Sequence, residues 1–195
     1  MDNNICEQKS GIILWFTGLS GAGKSTVAER LLTRLQESNF SVQIIDGDKV
    51  RTTRHRHLGF SESDIKINNV LIANFCAEER KNNDVVIVPI ISPYSQSRRD
   101  AKKNLQPGFY EIYFSANLDC VRQRDVKGLY AQSESGSINN MIGVSIANPY
   151  QPPKSPDFII NTEKESIQQS VEKLFNFSVI CLSKVNHTNQ IIEGE

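Results

Sequence analysis

A glycine-rich segment near the start of the chain constrains the fold more than any other feature of the sequence. Residues 18–25 read GLSGAGKS, which matches the pattern G-x-x-x-x-G-K-[ST]. An apolar run precedes this segment at residues 12–17, and a helical periodicity follows it at Val27, Leu31 and Leu35. A strand, a glycine-rich turn and a helix in this order form a loop whose backbone N–H groups converge on an anion.

The chemistry of this loop indicates a site for a nucleoside triphosphate. The Lys24 ammonium would reach the β- and γ-phosphates, and the Ser25 hydroxyl would ligate Mg²⁺. The expected ATP-binding residues of the loop are Gly18, Leu19, Ser20, Gly21, Ala22, Gly23, Lys24, Ser25 and Thr26. A glycine-rich turn that binds nothing is the alternative, which the full motif in this context disfavours. The loop alone does not distinguish a kinase from an NTPase switch, a motor or a sensor.

Strand and helix patterns alternate along the rest of the chain. Strands are predicted at residues 41–45, 85–91, 109–114 and 157–160, and helices at residues 67–80, at residues 117–124 and after Thr162. Because the strand runs are apolar throughout, we expect a mainly parallel sheet with helices on both faces. The sequence therefore predicts an α/β P-loop NTPase fold with a doubly wound sheet.

Finer features of the fold are also predicted from periodicity. The residues expected to face inward from two helices are Ile67, Val70, Leu71 and Phe75 in the first and Ile167, Val171, Leu174 and Phe175 in the last. Thr162 and Glu165 have the spacing of a capping box. Residues 178–182 are compatible with an edge strand, and the polar stretch after Lys184 is expected to fray.

Residues 125–156 are rich in glycine and proline and show little periodicity, which is typical of a mobile lid. We divide the chain into a tail of residues 1–10, a domain of residues 11–176 that contains the lid, and a C-terminal extension of residues 177–195.

Charge and cysteine content exclude several classes of function. The 22 Lys and Arg residues balance 22 Asp and Glu residues, so no basic surface for nucleic acid is indicated. The apolar runs are shorter than the ~20 residues that span a bilayer. The four cysteines form no metal-binding pattern, and no secretory signal precedes the domain. We expect a cytoplasmic protein with a small-molecule partner, no nucleic acid and no membrane.

Two carboxylates follow the second predicted strand, at Asp46 and Asp48. The carboxyl ends of parallel strands deliver residues to the ligand crevice. Here a carboxylate can hold hydrated Mg²⁺ or accept the proton of an attacking hydroxyl. Ser25 and Asp48 are therefore the candidate metal ligands. A solvated Asp-Gly turn is the alternative interpretation.

Several further motifs resemble those of the adenylylsulfate kinase (APS kinase) family. In order, residues 46–51 read DGDKVR, residues 58–61 LGFS, residues 91–94 ISPY, residues 124–130 RDVKGLY and residues 149–150 PY. The resemblance covers about residues 11–161. It implies a homodimeric enzyme that uses ATP and Mg²⁺ to phosphorylate the 3′-hydroxyl of adenosine 5′-phosphosulfate (APS).

The resemblance also implies roles for individual residues. Those implied to be catalytic are Lys24, Asp48, Lys127 and Ser92, and Arg124 would lie near ATP. Those implied to bind the acceptor are Asp46, Asp48, Arg51, Phe60, Asn68, Ile91, Ser92, Lys127, Gly128, Leu129 and Met141. The family position of Ser92 is described as a phosphoserine; direct in-line transfer does not need one, so we treat Ser92 first as a pocket residue.

The chain departs from the family on the acceptor side and in the lid. Three family arginines are replaced by Ile65, Val70 and Leu71, and an isoleucine offers neither a charge nor a bidentate fork to an anion. Lys66 or the basic run at residues 54–57 could compensate, although that run is also typical of a solvated loop. Met141 replaces a phenylalanine that stacks on adenine. About two additional residues lie between Gly143 and Pro149.

Three functions stay open on these observations. The first, which we favour, is an APS kinase of sulfate activation with a rearranged pocket. The second is a related nucleotide 3′-kinase with another acceptor, such as cytidine diphosphoramidate in capsule modification. The third is a non-catalytic, ATP-binding regulatory domain, which the joint presence of Lys24, Ser25, Asp48 and Lys127 disfavours.

Overall fold

The computed structural model describes residues 11–53, 56–138 and 140–192. The predicted tail at residues 1–10, which includes Cys6, and Arg54 and His55 of the basic run lie outside the described residues. The elements are β1 (Ile12–Thr17), α1 (Lys24–Gln36), β2 (Val42–Ile44), α2 (Gly47–Thr53), α3 (Glu62–Glu79), β3 (Val85–Pro89), α4 (Ser95–Leu105), β4 (Phe109–Ser115), α5 (Leu118–Arg124), α6 (Leu129–Glu134), β5 (Phe158–Asn161) and α7 (Ile167–Ile192).

The five strands form one parallel sheet in the order β2-β3-β1-β4-β5. Successive side chains of a strand point to opposite faces, and each face of the sheet carries a core. Leu14 and Phe16 of β1 pack with α1 and α7, whereas Ile13 and Trp15 pack with residues of α3 and α4. The predicted doubly wound α/β fold is thereby confirmed.

The parallel sheet places the ends of three strands side by side. The loop after β1 leads into α1, the turn after β2 carries Asp46, and the segment after β3 carries Ser92. Because β1, β2 and β3 run in the same direction, these segments meet at the carboxyl edge of the sheet. This edge is where the functional residues predicted from the sequence gather.

The predicted inward face of α3 was wrong in part. Ile67 and Val70 are each 47% exposed, whereas the buried stripe of the helix runs through Ile65, Asn68, Asn69 and Ile72. Leu71 and Phe75 are half-buried. An apolar pattern could not identify this stripe, because two of its members are asparagines that face a cavity.

The predictions for the C-terminal region were also partly wrong. Residues 178–182 belong to α7 and not to an edge strand, and the helix continues beyond Lys184 to Ile192. A short apolar run fits either element, and here burial at helical spacing, at Leu174, Cys181 and Val185, selects the helix. At the other end Ile167 is 40% exposed, although Val171 is buried as expected.

The start of α7 lies later than predicted. Gln169 N donates to Ser166 Oγ at 3.2 Å and Ser166 N donates to Gln169 Oε1 at 2.9 Å, which is the reciprocal pattern of a capping box. The capping box therefore lies at Ser166 and not at Thr162.

The segment predicted as an irregular lid, residues 125–156, contains the short helix α6. Over the described residues, the helices lack the length and apolar character that crossing a membrane requires.

Candidate active site

The glycine-rich loop turns sharply between β1 and α1. Gly23, the residue before α1, has φ 86°, a left-handed conformation that strains other residues. Gly18 has φ 151°, and a Cβ atom there would lie 2.6 Å from the Phe114 carbonyl oxygen. Gly23 is thus required by its backbone conformation and Gly18 by the close approach of a neighbouring carbonyl. Together they let the loop turn into the first residue of α1.

Lys24 is the first residue of α1 and is buried, at 7% exposure. Its Nζ donates to the carbonyl oxygens of Gly18 at 2.8 Å and Leu19 at 2.7 Å. Burial lowers the pKa of Lys24 to about 7, with a further lowering from the charge of Lys127 and an opposing contribution from Asp48. A phosphate anion would supply the charged partner that this ammonium lacks within the loop.

Asp46 and Asp48 flank the start of α2. Asp46 Oδ1 accepts a hydrogen bond from Lys49 N at 2.9 Å, which satisfies the first turn of the helix. The Asp48 carboxylate is exposed, and its Oδ2 lies 2.5 Å from Nζ of Lys127, a residue of the lid. The lid cation therefore meets the candidate base above the same cavity that Lys24 lines.

A second group of side chains lines the same cavity. The Arg51 guanidinium lies 4.8 Å from the centre of the Phe60 ring, and its Nη1 donates to the Gly59 carbonyl oxygen at 2.6 Å. Ser92 has a positive φ of 43°, and its Oγ donates to Asn69 Oδ1 at 2.8 Å. A non-glycine residue in this conformation is uncommon, and strained conformations of this kind cluster at functional sites.

One cavity of about 240 Å³ joins the two groups. The predicted site residues that line it are Ser20, Gly21, Gly23, Lys24, Ser25, Thr26, Asp46, Asp48, Arg51, Phe60, Asn68, Ile91, Ser92, Lys127 and Leu129. Most of the acceptor-side and loop residues proposed from sequence are thus brought together.

Six other predicted site residues lie outside the lining. Gly18 and Leu19 hold Lys24 through their carbonyl oxygens, and Ala22 is fully buried in the core. Gly128 is the N-cap of α6 with φ 64°. Arg124 Nη1 donates to Thr162 Oγ1 at 3.0 Å. Met141 packs into the core beneath the lid, and its neighbour Ile142 lines the cavity instead.

The sequence did not single out several lining residues as ligand contacts. These are Gly47, Asn69, Pro89, Ile90, Pro93, Val126 and Ile142. All of them except Pro89 adjoin a residue predicted from the sequence, as Asn69 adjoins Asn68 and Val126 adjoins Lys127. Ile65, noted in the sequence as a lost arginine, also lines the cavity at 2% exposure.

The lid is attached to the body of the domain at both ends. On the loop side, the Tyr130 hydroxyl donates to the Ser20 carbonyl oxygen at 2.8 Å, and burial raises the pKa of Tyr130 to about 12. On the other side, buried Arg98 donates to the carbonyl oxygens of Ser92 and Gln151, each at 2.6 Å. Arg98 also pairs with Glu111. The lid therefore contacts both halves of the cavity.

Comparison with known proteins places these features in a family. The family model described as adenylylsulphate kinase matches residues 10–161. An adenylyl-sulfate kinase of Halothermothrix orenii is 40% identical over 170 residues, which cover 87% of this chain and 90% of that protein. Another, of Chloroflexus aurantiacus, is 41% identical over 169 residues, covering 85% of this chain and 88% of the relative.

Solved structures agree with the sequence relatives. The structure of the Mycobacterium tuberculosis APS kinase CysC in complex with AMPPNP and APS has a TM-score of 0.80 at 33% identity, covering 86% of this chain and 96% of that one. A gluconokinase from Sinorhizobium meliloti, at 13% identity and a TM-score of 0.55, shares the fold and covers 96% of this chain and 99% of its own. By family model, by identity over most of its length and by structure, this chain belongs to the adenylylsulphate kinase family.

Proposed function

We propose that this protein transfers the γ-phosphate of ATP to the 3′-hydroxyl of APS. The observation that carries the proposal is the single cavity that joins Lys24 and Ser25 of the loop to Asp48 and, beyond it, to Phe60. A phosphate donor and a nucleotide acceptor can meet there end to end. The M. tuberculosis relative, whose structure is a complex with both AMPPNP and APS, supports ATP as the donor and APS as the acceptor.

The proposed mechanism is in-line attack of the acceptor hydroxyl on the γ-phosphate. Asp48 would accept the proton of that hydroxyl, and Lys24 and Lys127 would stabilise the charge that spreads over the transferring group. The Asp48–Lys127 ion pair must then open, since Lys127 exchanges a carboxylate for a phosphate partner. Closure of residues 125–156 would exclude water and so limit hydrolysis of ATP.

We also propose Mg²⁺ as the metal of the reaction, held by the Ser25 hydroxyl, the Asp48 carboxylate and the phosphates of ATP. Both side chains line the cavity, and both offer the oxygen donors that Mg²⁺ prefers. The described residues contain no group of three or more His, Cys, Asp and Glu side chains that could hold a metal. The phosphates would therefore supply much of the coordination, and the ion would neutralise their charge.

A second candidate acceptor is favoured by one observation. Ile65 is buried in the cavity wall at the position of a family arginine, so the acceptor end lacks a charge expected for phosphosulfate. A terminal phosphoramidate carries one negative charge, as a terminal sulfate does, but it also presents an NH₂ group, which donates hydrogen bonds and needs no arginine opposite it. Cytidine diphosphoramidate is therefore the alternative substrate, with transfer to a ribose hydroxyl by the same residues.

We propose that the protein works as a homodimer in the cytoplasm. Ile67 and Val70 form an exposed apolar face on α3, which a second copy could cover. An APS kinase of Thiobacillus denitrificans, with a TM-score of 0.63 at 30% identity over 91% of this chain and 29% of that one, is described as hexameric. The free cysteines Cys76, Cys120 and Cys181 suit a reducing compartment. A Val70→Glu variant should sediment as a monomer if this face is the interface.

An acceptor screen tests the proposed function. Purified protein is given ATP and Mg²⁺ with APS, with cytidine diphosphoramidate or with no acceptor, and the product is identified by mass. Phosphorylated APS with acceptor-dependent ADP release supports the first candidate. Phosphorylation of the cytidine nucleotide alone replaces it with the second. ATP binding without acceptor-dependent ADP release contradicts both and favours a regulatory domain. Lys24→Met, compared with Lys103→Met on the surface, shows that any turnover arises at this site.

A further inference from the structure

Asn148 connects the lid to two segments at the acceptor end of the cavity. Its side chain is buried, at 2% exposure. Asn148 Oδ1 accepts a hydrogen bond from the Tyr94 hydroxyl at 2.7 Å, and Asn148 Nδ2 donates to the Phe60 carbonyl oxygen at 3.0 Å. Phe60 and Pro93, which precedes Tyr94, both line the cavity. One amide thus joins the lid to the segment after β3 and to the loop before α3.

The backbone of Asn148 holds this amide in place. Gly143 N donates to the Asn148 carbonyl oxygen at 2.7 Å, and Asn148 N donates to the Ser145 carbonyl oxygen at 3.0 Å. Gly143 and Pro149 also form a parallel bridge. The side chain therefore belongs to a closed turn of the lid, so displacement of this turn would break both contacts of the amide.

The polarity of the two contacts requires an amide. The Phe60 carbonyl oxygen can only accept, so the group that faces it must be the NH₂ of Asn148. The Oδ1 atom then faces the Tyr94 hydroxyl, which can donate. A carboxylate of the same shape could keep the contact with Tyr94 but would place an oxygen against the Phe60 carbonyl. Buried polar groups left without a partner carry a large penalty.

Phe60 is the residue that these contacts position. Its ring is 54% exposed and lines the cavity, so it is available to a ligand. On the α2 side, Arg51 holds the preceding carbonyl, of Gly59, at 2.6 Å. On the lid side, Asn148 holds the carbonyl of Phe60 itself. The backbone on either side of this aromatic ring is therefore fixed by two different elements.

We propose that Asn148 is a positioning residue for the nucleotide acceptor. It holds Phe60 in the orientation in which the Phe60 ring contacts the acceptor. The proposal rests on the proposed function in placing the acceptor at Phe60. It has a specific consequence: acceptor affinity depends on a lid residue that does not line the cavity, whereas ATP affinity does not. The proposal also implies that the lid turn around Asn148 closes at the same time as the loop before α3, which carries Phe60 and is called the Phe60 loop below, becomes ordered.

The test uses Asn148→Asp, with Asn140→Asp as the matched control, because Asn140 is an exposed asparagine of the same lid. We expect Asn148→Asp to raise KM for the acceptor about tenfold while KM for ATP changes less than about twofold. If Asn148 acts through Phe60, Phe60→Ala and the Phe60→Ala/Asn148→Asp double variant should have the same acceptor KM. The proposal would be overturned if the two substitutions raised the acceptor KM independently in the double variant. An unchanged acceptor KM in Asn148→Asp, or an equal rise in KM for ATP, would also overturn it.

A second measurement needs no acceptor. Ser61 caps α3, with Asp64 N donating to Ser61 Oγ at 3.1 Å and Ile65 N to the Ser61 carbonyl oxygen at 2.9 Å. A loosened Phe60 loop should release these amides, so hydrogen exchange at residues 64–65 should quicken by about threefold or more in Asn148→Asp. Exchange equal to that of Asn140→Asp would overturn the positioning role. Inactivity of the unaltered protein towards APS would contradict the proposed function alone.

Discussion

The two halves of the cavity differ in the kind of atoms that form them. The ATP half is formed largely by one continuous segment of backbone, residues 18–26, with Lys24 folded onto the loop's own carbonyl oxygens. The acceptor half is formed by side chains from several separate segments. These segments are α2 with Arg51, the Phe60 loop, α3 with Ile65 and Asn68, and the residues after β3 with Ser92.

This difference determines how each half can change. A backbone cradle depends on a few glycines and tolerates little variation, because a Cβ atom at Gly18 would collide with a neighbouring carbonyl. A wall of side chains can exchange one residue at a time, as the family resemblance implies for Ile65, while the sheet beneath it stays the same. Retention of donor chemistry with altered acceptor specificity is therefore the easier change for this fold.

The largest expected effect comes from the ATP half. Replacing Lys24 with Met should lower kcat on the order of a thousandfold, because the charge that contacts the transferring phosphate is lost. Circular dichroism should show a retained fold, and Lys103→Met should keep full activity. Undiminished turnover in Lys24→Met would show that Lys24 and its loop take no part in the reaction.

Asp48 lies between the two halves of the cavity, and the Asp48→Asn variant tests whether it serves the transfer step or the binding of ATP. We expect kcat to fall about a hundredfold, since an amide cannot accept the proton of the attacking hydroxyl. KM for ATP should rise by less than about threefold, a split that steady-state kinetics measures directly. An equal loss in both constants would instead restrict Asp48 to metal or ATP binding, without a role as the base.

The low pKa of Lys24 predicts that ATP binding is coupled to the uptake of a proton. With a pKa of about 7 in the nucleotide-free protein, Lys24 is mostly neutral at higher pH and charged at lower pH. Phosphate anions favour the charged form, so ATP binding should take up about one proton at about pH 8 and almost none at about pH 6. Calorimetry in buffers of different ionisation enthalpy measures this uptake. Equal uptake at both pH values would contradict the assignment to Lys24.

The smallest expected effect concerns the attachment of the lid to the ATP half. Tyr130→Phe removes the hydrogen bond to the Ser20 carbonyl oxygen and keeps the buried ring. A neutral hydrogen bond contributes about 1 kcal/mol, so KM for ATP should rise about fivefold with the acceptor KM unchanged. Steady-state kinetics with each substrate varied in turn measures the two constants. A rise in acceptor KM would show that the two ends of the lid do not act separately.

Errors in the sequence predictions lie where burial and apolar character diverge. On α3, the buried stripe contains Asn68 and Asn69, so periodicity assigned Ile67 and Val70 to the inside. On α7, a short apolar run read as a strand forms part of a long helix. The position of Met141 in the core, beside rather than in the cavity wall, depends on a lid whose path has no periodic signal.

The sequence by itself determined the parallel α/β sheet and the loop that begins α1. Both follow from local patterns, because apolar strand runs and a glycine motif act within a few residues of the chain. Only the tertiary structure decided that Asn148 reaches Phe60, that Lys127 meets Asp48 and that Ile65 faces the cavity. These contacts join residues far apart in sequence, and their partners are chosen by how the lid and α3 pack on the sheet.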